Sequence, residues 1–161
     1  MPYQPFHERF PEIAWKETRS FRTFKNPDLP DDEYGLVEAY CNEPSCDCRR
    51  VLFNVLSRKR EELVAVIAYG WESTDYYVDW LGHDDPLVIQ ELKGPALNTA
   101  SRQSELAPAL LRAVEQVLQD SEYVERLKRH YRIFKADVDD PKARRTGRMT
   151  KPTRRRRKKR R

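Results

Sequence analysis

The stretch from Arg50 to Tyr69, RVLFNVLSRKREELVAVIAY, decides the fold. Arg50–Ser57 is apolar and rich in β-branched residues, and so is Leu63–Tyr69. The charged run Arg58–Glu62 between them is a turn, so the two apolar runs read as an antiparallel hairpin. Both are nearly continuous in apolar character, which predicts that helices cover most of both sheet faces. Upstream, Leu36–Cys41 reads as a short third strand.

Helices are expected on the other side of the hairpin. Ser73 or Thr74 caps a short helix reaching Trp80, with Tyr76, Tyr77 and Trp80 along it. Leu87–Leu92 reads as a short strand ended by Gly94-Pro95. From about Glu105 to Gln119, Leu106, Leu110, Val114, Val117 and Leu118 share one stripe. A second helix over about Ser121–Lys135 turns Tyr123, Val124, Leu127, Tyr131 and Phe134 inward, and Arg126, Lys128, Arg129 and Arg132 outward. Strands first and helices last predict an α+β domain with a small antiparallel sheet and two C-terminal helices. Residues 1–34, rich in proline and aromatic side chains, read as an extended arm anchored by Ile13, Trp15, Phe21 and Phe24, with a weakly signalled helix near Glu12–Arg19. The compact domain spans residues 35–140, and residues 141–161, almost without apolar content, are expected to be disordered.

Charge divides along the same line. Of the 31 Lys and Arg, 13 fall between Lys142 and Arg161, where no Asp or Glu occurs. The preceding 141 residues keep 18 basic against all 26 acidic groups, so the formal +5 joins a −8 body to a +13 segment. Arg144, Arg145, Arg148, Lys151, Arg154, Arg155, Arg156, Arg157, Lys158, Lys159, Arg160 and Arg161 form a tract that binds phosphates by counterion release, without sequence preference. Nucleic acid, RNA before DNA, is the expected partner; a targeting tail is the plainer use of such a run. No aromatic residue interleaves the tract, so stacking by rings is not available there.

The sharpest local signal is Tyr40-Cys41-Asn42-Glu43-Pro44-Ser45-Cys46-Asp47-Cys48-Arg49-Arg50. Asn42 and Pro44 favour a turn that carries Cys41 back toward Cys46 and Cys48. Three thiolates at a hairpin corner suit zinc, which takes sulfur and nitrogen in a tetrahedron. His130, beside the apolar stripe of the last helix, is the first candidate for a fourth ligand; His83 is the second and His7 the most remote. The plain alternative makes Cys41 and Cys48 small buried apolar residues and His130 a hydrogen-bonded core histidine. A redox use would draw on Arg49 and Arg50 to lower a thiol's pKa. The turn and its hairpin resemble bacterial proteins of no assigned activity, some of which carry a SEC-C zinc motif; that motif is absent here, and the resemblance implies only a metal.

Little points to catalysis. His83, Asp84 and Asp85 with Glu72 and Asp75 would have to converge to bind a divalent ion for phosphoester hydrolysis, and there is no P-loop, G-x-G-x-x-G or G-x-S-x-G. Trp71, Tyr76, Tyr77 and Trp80 serve either base stacking or a core. No run is long and apolar enough to span a bilayer and no signal peptide opens the chain, so a cytoplasmic protein is expected, or a nuclear one in a host with a nucleus. A third reading is an interaction adaptor whose acidic body meets a basic partner or its own basic segment.

Overall fold

The computed structural model describes residues 2–140 and 142. In chain order the elements are β1 (Tyr3–Pro5), α1 (Phe6–Arg9), α2 (Pro11–Glu17), β2 (Ser20–Thr23), β3 (Asp32–Cys41), β4 (Arg50–Ser57), β5 (Glu62–Gly70), α3 (Thr74–Leu81), α4 (Pro86–Lys93), β6 (Ala96–Leu97), α5 (Ala107–Val117) and α6 (Ser121–Asp139). This is an α+β fold on a six-stranded sheet ordered β1-β3-β4-β5-β6, with β2 also paired to β3. All pairings are antiparallel. The β4–β5 hairpin matches Arg50 to Gly70 and Phe53 to Ile67, with a bulge at Val55/Leu56.

Strand β4 explains why one sheet face became the core. Val51, Phe53, Val55 and Ser57 are buried, while Leu52, Asn54 and Leu56 on the other face are not. Against the buried face lie Leu110 and Val114 of α5 and Tyr123, Leu127, Tyr131 and Phe134 of α6, all in one apolar cluster. Burying each large side chain of this kind stabilises by roughly 1.5–3 kcal/mol. The opposite face is covered less than its apolar sequence predicts. Helix α4 packs near Ala68 at one end, but Leu56 and Leu63, cross-strand partners, are each 42% exposed.

Two further expectations are corrected. Leu87–Leu92 is helical, because Asp85 caps it by accepting from the Leu87 and Val88 amides, Pro86 fits the first turn, and Gly94 ends it at a φ of 57°. Ile89 and Leu92, one turn apart, are its buried pair. The N-terminal residues form two strands and two short helices along the β3 edge: Tyr3 opposite Cys41, Ser20 opposite Gly35. Phe6 and Ala14 anchor them, whereas Trp15 and Phe24 face solvent. Among the described residues no helix is long and apolar enough to cross a membrane.

Candidate metal centre

Cys41 closes strand β3 and is fully buried, with the Asn42 amide donating to the Pro2 carbonyl across the β1 pairing. The chain then turns: Cys46 N donates to Glu43 O, and Ser45 and Arg49 adopt left-handed φ values of 62° and 48°. Helix α6 holds this loop from the other side. Lys135 Nζ donates to Glu43 O at 2.6 Å and Cys41 O at 3.3 Å, and the Ser45 amide donates to Asp139 Oδ1 at 2.8 Å.

The result brings the three sulfurs of Cys41, Cys46 and Cys48 within 4.8 Å of one another. Around tetrahedral zinc, with Zn–S near 2.3 Å, thiolates sit about 3.8 Å apart. The cluster is therefore within a small contraction of a metal-bound set, and no disulfide links its members. Burial, above all, pushes the Cys48 thiol up to about 12, with Cys46 and Cys41 adding to the effect and Arg50 opposing it. Cys46 is raised for the same first reason. Metal binding would have to displace the protons of Cys46 and Cys48 against this upward pull. Of the two arginines expected to lower a thiol's pKa, Arg50 acts on Cys48 but is outweighed by burial, and Arg49 is drawn off to Asp47 in a fork of 3.0 and 2.8 Å.

Two buried cations attend the cysteine loop, Arg50 near enough to act on the Cys48 thiol and Lys135 on the main-chain carbonyls of Cys41 and Glu43. Arg50, 8% exposed, donates Nε to Leu92 O at 2.6 Å and Nη1 to the Tyr3 hydroxyl at 3.0 Å. Lys135, 7% exposed, bonds the carbonyls named above. Both are satisfied by neutral oxygens. Burying a cation without a countercharge is costly, and thiolates at this corner would supply one.

Aromatic residues brace the loop. Tyr131 accepts from the Arg49 amide, Tyr77 donates to Arg49 O, and Tyr76 donates to Asp47 O while its ring lies 4.6 Å from the Arg49 guanidinium carbon. Trp71 meets Tyr131 edge to face. Their place is therefore in holding the corner rather than in a base-stacking surface. Gly70 makes room for Tyr77: a Cβ there would stand 2.2 Å from its hydroxyl oxygen.

His130 is not brought to the sulfurs. Its Nδ1 faces Glu38 Oε2 at 2.7 Å, its Nε2 faces Glu17 Oε2 at 2.5 Å, and Phe6 stacks on the ring at 4.5 Å. Burial alone would lower the imidazole's pKa; the two carboxylates, Glu38 foremost, outweigh it and hold it raised. His83 is exposed, accepting from the Asp85 amide, and His7 is exposed as well. The acidic loop does not converge either: Glu72 pairs with Arg49, Asp85 caps α4, and Asp84 borders a cavity between α3 and α4. Among the described residues, the three cysteines are the group of metal-ligating side chains close enough to share an ion.

On the outer side of α6, Arg129 pairs with the Glu17 carboxylate and Lys128 with Glu125, while Arg126 bonds the Glu17 carbonyl and Arg132 is exposed, so two of the four cations are neutralised within the chain. The basic tract Arg144–Arg161 lies outside the described residues. Set against protein-family models, curated proteins and solved structures, the chain matches none.

Proposed function

We propose that this chain is a small nucleic-acid-binding protein, RNA before DNA and without a catalytic step of its own, whose cysteine corner carries a structural zinc. The observation that carries the reading is charge segregation: 13 basic and no acidic residues from Lys142 onward, after a −8 body. Such a segment neutralises phosphates and releases counterions, and its arginines can pair with phosphate bidentately. The cysteine corner bears on it mechanically. Helix α6 ends at Asp139, whose carboxylate takes the Ser45 amide, so a metal at the three sulfurs would fasten the point from which the basic segment leaves.

The test compares the full chain with a form ending at Asp140, which keeps α6 whole, using fluorescence anisotropy on a single-stranded RNA and a DNA duplex. We expect affinity for RNA to fall at least about 100-fold on truncation. For the full chain, log K should drop steeply with log salt, by about 0.7 per phosphate neutralised. Unchanged affinity after truncation overturns the reading. Loss of self-contact on truncation without any nucleic-acid binding would favour the adaptor instead.

A further inference from the structure

The cysteine corner supplies a metal with three sulfurs, and the neighbouring donors are committed elsewhere. Both His130 nitrogens face carboxylates, His83 is exposed and turned to its own loop, and the Asp47 carboxylate is forked by Arg49. The three cysteines are not equally enclosed. Cys41 and Cys48 are fully buried, whereas Cys46 is partly exposed, so solvent reaches the set from the Cys46 side.

Charge gives the second, independent pointer. A divalent ion with three thiolates carries a net −1. The adjacent Arg50 and Lys135, both buried and bonded to neutral oxygens, bring the corner to +1. One more anionic ligand makes the corner neutral, and a buried uncompensated charge is what such an arrangement has to avoid. A zinc held by three protein ligands keeps a fourth position that exchangeable ligands can occupy, whatever it contributes to the fold. A zinc ion already bound by three sulfurs is a soft centre that favours sulfur over oxygen.

From this we infer that the metal's fourth position is open and takes a thiolate from a small-molecule thiol. This rests on the metal reading above. The step is a ligand exchange: the metal–sulfur bond replaces a metal–water bond, and the thiol's proton passes to solvent.

The test loads the full-length chain with Co²⁺, keeping it reduced with a phosphine alone, and titrates it with 2-mercaptoethanol, using ethylene glycol as the sulfur-free control. The expected result is a rise of about one third in sulfur-to-cobalt charge transfer, as a fourth Co–S bond joins three, with tetrahedral d–d bands. Ethylene glycol should leave the spectrum unchanged. Binding of Co²⁺ by three sulfurs with no response to the thiol overturns the open position and leaves the metal reading standing. Failure to bind Co²⁺ through the cysteines overturns both. In a Lys135→Met variant the thiol should bind about tenfold more weakly; equal affinity would remove the charge argument.

Discussion

Two buried polar centres hold α6 against the rest of the molecule, and they balance their charge in opposite ways. At one, His130 lies between Glu38 and Glu17, and the Tyr40 hydroxyl also donates to Glu38 Oε2 at 2.8 Å. Every partner there is in the chain: an imidazolium between two carboxylates. At the other, three thiols sit beside Arg50 and Lys135, two cations with no carboxylate among their hydrogen-bond partners. The first centre pairs its cation with carboxylates of the chain itself, leaving only Glu38 Oε1 without a partner; the second, in the reading proposed above, closes when the thiols ionise around a metal and an anion takes its fourth position. Charge closure, more than residue type, separates a structural histidine from a ligand site.

The largest effect is expected at His130. His130→Ala leaves Glu38 buried without its cation, which should destabilise the fold by about 3–5 kcal/mol in chemical denaturation, while zinc content stays unchanged in whatever fraction remains folded. Loss of zinc in that variant would tie the two centres together. Next in size is Cys48→Ser. It should abolish metal binding and lower stability in zinc by about 3 kcal/mol, a loss that a chelator reproduces in the unmodified chain. Gly70→Ala, which drives a methyl into Tyr77, should cost about 2 kcal/mol and weaken the bracing of Arg49, read as a lower melting temperature and faster zinc release.

His130 and its partner Glu17 also respond to pH in opposite directions. The folded pKa of His130 is raised, so its contribution is full below the ordinary value of 6.5 and is lost as pH rises through the raised value. Glu17 behaves oppositely. Its pKa is lowered, chiefly by its bond to His130, so its contribution is present above the ordinary 4.5 and is lost as pH falls through the lowered value. Urea titrations across pH should therefore show stability falling on the alkaline side, and His130→Gln should flatten that limb. The smallest effect is expected from Lys128→Ala, which removes an exposed ion pair with Glu125 and should change stability by less than about 0.5 kcal/mol.

How much of this was legible in the sequence depended on distance along the chain. The hairpin was, because two apolar runs and a charged turn are local signals, and β4 and β5 match them to within a residue. Helix α6 starts where its period does and runs four residues past Lys135, carrying Asp139 to the cysteine loop. Leu87–Leu92 was misread because a short apolar run suits either period; Asp85-Pro86 before it and Gly94 after it held the answer. The cysteine trio was legible from spacing. The partners of His130 were not, since Glu38 and Glu17 lie 92 and 113 residues away. Lys135 and Arg50 look like ordinary solvated cations in the sequence, and only the fold shows them buried at the two sides of the cysteine loop.

The most direct test of the account is metal content of the full-length chain, purified under reducing conditions and measured by elemental analysis beside Cys46→Ser and Cys48→Ser. One zinc per chain is expected, lost in both variants. A native protein with no bound metal, even when refolded in excess zinc, and with all three thiols still free to react after unfolding, would contradict it.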